Sequence, residues 1–341
     1  MVDIQFRQML SKISNIYIKG IVASVPKISN FKNIRINSEL KRTIDLIGVK
    51  QSYKTNKDTT TLDLCMNSAN FLLKKNKIES SDIEIVVFVT QTPDYLMPSC
   101  SNIVHELLGL KKSCICFDIN MGCSGYVYGL WNIATMMESN NLKNGLLLVG
   151  DTISKSIRKD DKAHQILFGD AGTATLLGYK SKELMYFNLG SDGKGANKLI
   201  LKNSAFRNKG VISPEFYMDG KEVFLFAITS VPKITRELLV FAKIKSNQIK
   251  YYIFHQANQF MLNKIFDFLK VKKNSRLFSI NQYGNTSSAS IPVTLCKHCK
   301  KVGKLDEHVL ISGFGAGFSY ASGIISLKET KIHKILSYEK K

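Results

Sequence analysis

Cys123, His255 and Asn285 lie far apart in the chain, yet each follows an apolar run and sits beside small residues. The segment Cys114-Ile-Cys-Phe-Asp-Ile-Asn-Met-Gly-Cys123-Ser-Gly125 reads as a strand and then a sharp turn. Val127, Leu130, Trp131, Ala134 and Met137 follow at helical spacing. A thiol in the first turn of that helix faces unpaired N–H groups and the positive end of the macrodipole. The position is therefore expected to favour the thiolate, the nucleophilic form. His255 lies in Phe254-His-Gln-Ala-Asn258, directly after the apolar run Tyr251 to Phe254. Asn285 lies in Tyr283-Gly-Asn-Thr-Ser-Ser-Ala-Ser290, again after a strand-like run. A Cys, a His and an Asn, each at a strand end, point to acyl transfer.

An internal repeat places the three residues together. Lys77-Ile-Glu-Ser-Ser-Asp-Ile83, continuing to Phe88, aligns with Lys243-Ile-Lys-Ser-Asn-Gln-Ile249, continuing to Phe254, at an offset of 166. Gly122-Cys123-Ser124 aligns with Gly284-Asn285-Thr286 at 162, and Leu142 to Gly150 with Leu305 to Gly313 at 163. Matches in one order and at nearly constant spacing predict two copies of one α/β unit. Asn285 is then the counterpart of Cys123. A pseudo-two-fold between the copies would bring their loops face to face. The halves are expected at residues 1–180, carrying the Cys, and 181–341, carrying the His and Asn.

In the first half, strands are predicted over 16–25, 83–90, the run into Cys123, 146–149 and 168–177. Helices are predicted over 36–47, 60–75, 99–108 and after Cys123. In the second half, strands are predicted near 185–189, 251–254, 276–280, 309–312 and 318–327. Helices there are predicted near 222–242, 257–270 and 287–301. Such alternation argues for mostly parallel sheets covered by helices. Residues 328–341 read as a solvated basic tail.

The chain has 341 residues, 44% of them hydrophobic, enough for a large core or two fused ones. No apolar run approaches the roughly 20 residues that span a membrane. Met1 to Asn15 mixes charge among its apolar residues and lacks a signal-peptide core. Seven Cys without regular spacing suit reduced thiols in a cytoplasm. Cys114 and Cys116 read as small buried hydrophobes, and His105, His164, His298, His308 and His333 as structural. Cys296-Lys-His-Cys299 is half a zinc site with no second pair, so no metal is expected. Gly313 to Gly317 leads into a strand, unlike a dinucleotide loop. The net charge of +21 is spread along the chain with no basic helix, which disfavours nucleic acid and suits an acidic protein partner.

Several motifs in order resemble the thiolase superfamily, and most closely β-ketoacyl-acyl-carrier-protein synthase III. They are Gly122-Cys-Ser-Gly125, Phe168-Gly-Asp-Ala-Gly172, Met218-Asp-Gly-Lys-Glu-Val-Phe224, His255-Gln-Ala-Asn258, Gly284-Asn-Thr-Ser-Ser-Ala-Ser-Ile-Pro292 and Gly313-Phe-Gly-Ala-Gly317. The resemblance covers about residues 16 to 327. It implies a duplicated five-layer α/β/α/β/α fold with two mixed sheets, a homodimer, and no cofactor beyond the substrates acyl-CoA and malonyl-acyl carrier protein. It makes Cys123 the acylated nucleophile, the backbone N–H groups of Cys123 and Ala316 the oxyanion hole, and His255 and Asn285 the donors to a malonyl thioester carbonyl. Substrate contacts are carried to Met97, Lys162, Gly220, Lys221, Phe224, Ala257, Asn258 and Phe314.

The chain departs from that family at the donor site. Arg42 and Leu46 stand where a Trp and an Arg grip the CoA adenine, Met97 where an aromatic gates the acyl pocket, and Phe260 where a basic residue serves carrier docking. Ala316 replaces a glycine. Three readings stay open: decarboxylative condensation in primary or specialised metabolism, acyl transfer to a hydroxyl or amine, and a silent partner subunit of a synthase.

Overall fold

The computed structural model describes residues 9–340 except 32, 33, 35, 208, 209, 211–213 and 304. Of the segment Met1 to Asn15, residues 1–8 lie outside the described residues. In chain order the first half supplies β1 (Met9–Pro26), β2 (Ile28–Ser29), α1 (Ser38–Ile47), β3 (Tyr53–Lys54), α2 (Thr61–Asn76), β4 (Ile85–Val89), α3 (Cys100–Leu108), β5 (Ile115–Ile119), α4 (Gly125–Asn140), β6 (Asn144–Asp151), α5 (Lys162–Leu167) and β7 (Ala171–Ser191). The second supplies β8 (Leu199–Lys202), β9 (Glu215–Met218), α6 (Gly220–Ala242), β10 (Ile249–Phe254), α7 (Gln259–Phe268), α8 (Ile280–Tyr283), α9 (Ser290–Lys297), α10 (Cys299–Val302), β11 (His308–Gly315), β12 (Ser319–Ile325), β13 (Lys331–Ile332) and β14 (Leu336–Tyr338).

Side-chain alternation in the buried strands produces the layers. Ile85, Val87 and Val89 of β4 join a core with Val127 and Leu130 of α4 and Ile291 and Leu295 of α9. Val86 and Phe88 face the other way, into a core with Leu62, Cys65 and Leu72 of α2 and Val104 of α3. In β10, Ile253 joins the first of these cores. Its neighbours Tyr252 and Phe254 face Val231 and Leu238 of α6 and Leu262 and Phe266 of α7. The order is helices, sheet, helices, sheet, helices, the five layers expected.

One sheet runs β5-β4-β6-β7, with β4 parallel to both its neighbours and β7 antiparallel to β6. The other runs β10-β11-β12-β7, with only β10 and β11 parallel. β7 therefore belongs to both, and β1 lies antiparallel along it from Ser24 opposite Gly172 to Met9 opposite Leu189. The strands expected at 168–177 and 185–189 are one strand, and residue 180, the expected end of the first half, lies within it.

β4, β6 and β7 have counterparts in β10, β11 and β12. The counterpart of β5, expected at 276–280, shrinks to one parallel bridge between Tyr252 and Arg276. The ladder stops because the Gln256 side-chain oxygen accepts the N–H groups of Ser279 (2.8 Å) and Ile280 (3.1 Å). The helix expected over 287–301 divides into a 3₁₀ turn at Ser287–Ala289, then α9 and α10. The described lysines of the tail are exposed as expected, but the segment is held against β1. β13 and β14 add parallel strands to β1, Thr330 donates to the Ile18 carbonyl at 2.8 Å, and Lys340 meets Asp63 at 3.1 Å. Capping that free edge denies it to other chains.

Candidate active site

The parallel strands all end on one side. β4 ends at Thr90 and Gln91, β5 at the turn to Cys123, β6 at Asp151, β10 at His255, and β11 at Gly315 and Ala316. Sites form at such carboxyl ends. The two halves touch closely there. A Cβ at Gly315 would stand 2.9 Å from the Cys123 sulfur, so only glycine lets this strand pass the thiol. At Gly284, φ is 65° and a Cβ would stand 2.6 Å from the Leu167 carbonyl. Glycine there lets Asn285 bridge to Phe168, with its N–H on the Leu167 carbonyl at 2.8 Å.

Cys123 does not open the helix as expected. It precedes the N-cap Ser124, and α4 begins at Gly125. Nor is the thiolate the resting form. Burial, with the nearby Asp151 carboxyl adding, pushes the thiol up to about 12. Three hydrogen-bond donors oppose this: the Ser287 hydroxyl and the backbone N–H groups of Cys123 and Ala316. Burial pushes His255 the other way, down to about 3, so its imidazole is neutral at ordinary pH. Cys123 and His255 thus rest as two neutral groups. Alkylation of Cys123 by iodoacetamide should then climb about tenfold per pH unit from 7 to 10, because the thiolate is what reacts. A rate that levels off below pH 8 would show a preformed ion pair instead.

Ser287 links the three residues singled out from the sequence. Its hydroxyl and its backbone carbonyl stand near enough to Cys123 and to His255 to favour the charged form of each, and its N–H donates to the Asn285 side-chain oxygen at 2.9 Å. That last bond leaves the Asn285 amide nitrogen as its donor side. Ser287 holds φ at 48°, an uncommon value for a residue with a side chain. His255 is fixed by Ser290, whose hydroxyl lies 2.8 Å from Nδ1, and by Phe314, whose ring meets it edge-on with centroids 5.5 Å apart.

Asp151 is a second residue that the motifs did not single out. It is fully buried and accepts from Gln91 N–H (2.7 Å), Thr90 Oγ1 (3.1 Å), Ser288 N–H (3.1 Å) and Ser288 Oγ (2.6 Å). It ties β4 and β6 to the loop that carries Asn285. Asp170, inside the Phe168 to Gly172 motif, does the same for Thr55 and Ser154. Burial raises both carboxyls above the usual range.

A cavity of about 410 Å³ opens onto Cys123, with Ser287 and Ala316 beside the thiol. Ile153, Phe168, Leu199, Leu201 and Phe216 make its apolar walls, and among the described residues no charged side chain lines it. The pair β8 and β9 supplies one wall, which the sequence reading did not assign to the site. Phe314 lies behind His255. Met97 is 78% exposed and outside the lining of this cavity. Lys162, Gly220, Lys221, Phe224, Ala257 and Asn258 also lie outside that lining. Phe224 stacks on Phe260 with centroids 5.6 Å apart, and Leu46 is exposed. Among the described residues, no helix is long and apolar enough to cross a membrane, and no cluster of three or more His, Cys, Asp or Glu could hold a metal ion.

Comparisons with known proteins point the same way. Residues 117–193 match the family model for 3-oxoacyl-[acyl-carrier-protein] synthase III, and residues 239–327 match its C-terminal model. The chain is similar to a β-ketoacyl-[acyl-carrier-protein] synthase III of Clostridium botulinum, 32% identical over 330 residues, 90% of this chain and 97% of the relative. It is similar to that of Fusobacterium nucleatum, 30% identical over 92% of this chain and 99% of the relative. A crystal structure of 3-oxoacyl-(acyl-carrier protein) synthase from Burkholderia xenovorans superposes with a TM-score of 0.91 at 31% identity, covering 97% of this chain and 99% of the other.

Proposed function

We propose that this chain, which belongs to the β-ketoacyl-acyl-carrier-protein synthase III family of thiolase-like acyltransferases, takes an acyl group from a thioester onto Cys123 and condenses it with a malonyl thioester. The observation that carries this reading is the convergence of two backbone N–H groups, those of Cys123 and Ala316, on the sulfur at the cavity floor. Donors beside the sulfur also stand next to the thioester carbon it attacks, where they can receive the developing oxyanion without reorganising. Replacing the family's glycine by Ala316 leaves that N–H in place. The acyl chain would occupy the apolar cavity. His255 and Asn285 would then hold the malonyl carbonyl while carbon dioxide leaves, and the resulting enolate would attack the acyl-enzyme. A neutral imidazole can donate to that oxygen, and so can the free amide side of Asn285.

The test uses malonyl-acyl carrier protein with one acyl group delivered on pantetheine, on CoA and on an acyl carrier protein. Carbon dioxide release matched to a ketoacyl product is expected. Acyl transfer to a hydroxyl or amine without carbon dioxide release would replace the reading. Because Leu46 and Arg42 stand where the adenine grip belongs, CoA should gain little over pantetheine. A hundredfold CoA advantage would overturn that part.

We infer a homodimer from the exposed run Tyr95-Leu96-Met97 and the partly exposed apolar edge strand β5. Unpaired edges of this kind join other chains. Light scattering behind size exclusion should give twice the chain mass, and Leu96→Lys should shift it toward monomer. A monomer at micromolar concentration would sink the inference.

A further inference from the structure

Cys114 and Cys116 keep partial solvent access rather than the burial expected, whereas Asp151 is fully buried. Its two oxygens are divided between the two halves of the chain. Oδ1 accepts from Gln91 N–H (2.7 Å), Thr90 Oγ1 (3.1 Å) and Thr92 Oγ1 (3.4 Å), all at the end of β4. Oδ2 accepts from Ser288 N–H (3.1 Å) and Ser288 Oγ (2.6 Å), in the loop that carries Asn285 and Ser287. Both groups so joined flank the turn of Cys123. A Cβ at Gly122 would stand 2.3 Å from Gln91 Oε1, and one at Gly125 would stand 3.5 Å from the Ser288 Cβ.

The loop has three anchors. At its entry the Asn285 N–H donates to the Leu167 carbonyl at 2.8 Å. At its exit Ser290 Oγ lies 2.8 Å from His255 Nδ1. Between them Ser288 is held by Asp151. A side-chain amide could not take the place of this carboxyl. Each oxygen receives a backbone N–H, so an NH2 group on either side would set donor against donor.

We propose that Asp151 is a positioning residue for the condensation step, clamping the Asn285 loop of the second half against the Cys123 turn of the first. The clamp fixes the spacing between the donor to the enolate and the acylated sulfur. The inference rests on the condensation reading of the site. The charge of Asp151 indicates the step it serves. A carboxyl near Cys123 holds the thiol proton on and opposes formation of the nucleophile. Acylation therefore gains nothing from that charge. Condensation needs two groups from different halves held at one distance, and misplacing a reacting group by about an ångström can lower a rate about 10²-fold.

The test is steady-state kinetics on the full chain with an acyl thioester and malonyl-acyl carrier protein. When the acyl-enzyme is formed before the second substrate reacts, kcat/KM for the acyl donor reports acylation alone. In Asp151→Asn, kcat for carbon dioxide release matched to ketoacyl product should fall about 10²-fold. The donor kcat/KM should fall far less. Ser288→Ala keeps the carboxyl and the Ser288 N–H but loses the 2.6 Å bond. It should shift kcat in the same direction by a smaller factor, and it carries the test if a thermal melt shows Asp151→Asn unfolded. In the double variant the two losses should not multiply, because Asp151 acts through Ser288. Native condensation in either single variant overturns the clamp and leaves the condensation reading standing. Equal losses of kcat and donor kcat/KM overturn it too, since they mark general damage to the site, and so do losses that multiply. A native chain that takes the acyl group yet releases no carbon dioxide overturns the condensation reading and the clamp with it.

Discussion

Cys123→Ser is expected to take no acyl group from any thioester on the timescale at which the native chain is fully acylated, a loss of at least about 10⁴-fold. The size follows from the chemistry of the nucleophile. Even with its thiol pushed up to about 12, Cys123 can reach the thiolate, aided by three donors aimed at the sulfur. A serine hydroxyl in the same place ionises far less and is the weaker nucleophile. The substitution should not disturb the fold. Oxygen is smaller than sulfur, and Gly315 already crowds the site. Intact-mass spectrometry after incubation with acyl thioesters measures the outcome, with a thermal melt to show that the variant is folded. A serine variant that gains the acyl mass at near the native rate would remove Cys123 from the mechanism. Acylation with no later carbon dioxide release would leave Cys123 in place and strike only at the condensation step.

The site was legible as far as residue type and strand position could carry it. Cys123 and His255 each follow a strand, Asn285 follows a strand-like run that folds into α8, and the near-constant offset of the repeat predicts that their loops meet. What escaped depends on contacts made only after folding. Ser287 belongs to a Ser-Ser run in which nothing distinguishes one hydroxyl from the next. Its role comes from a φ of 48° that turns its N–H, carbonyl and hydroxyl toward three different residues. Asp151 follows a glycine at the end of a buried strand, an ordinary setting, and its partners lie as far as 137 residues away. The ionisation of Cys123 was misjudged because a helix start is a weak field beside burial and a neighbouring carboxyl. The strand expected at 276–280 failed for a similar reason. Its local pattern suits a strand, but a buried glutamine 23 and 24 residues earlier claims the N–H groups the ladder needs. The described lysines of the tail are exposed, and what their pattern did not show is that two short segments among them pair with β1 through backbone hydrogen bonds.

The separation of roles within the site gives the other large effect. His255→Ala and Asn285→Ala should still form the acyl-enzyme, because the groups aimed at the sulfur are Ser287 and two backbone N–H groups. Carbon–carbon bond formation should fall by about 10² to 10³ for each, the usual cost of losing one donor to a developing oxyanion. Alanine at 285 carries a complication, since the Asn285 oxygen also holds the Ser287 N–H at 2.9 Å and so helps aim the Ser287 hydroxyl. Asn285→Asp resolves it. The aspartate keeps an acceptor for Ser287 and replaces the amide donor with a carboxylate that repels an enolate. Acylation should then stay near native in Asn285→Asp while condensation falls at least as far as in Asn285→Ala. The measurements are the single-turnover acylation burst, by intact mass, and carbon dioxide release from malonyl-acyl carrier protein. If His255→Ala loses the burst and the condensation equally, the neutral imidazole is accepting the thiol proton, and His255 belongs to the acylation step.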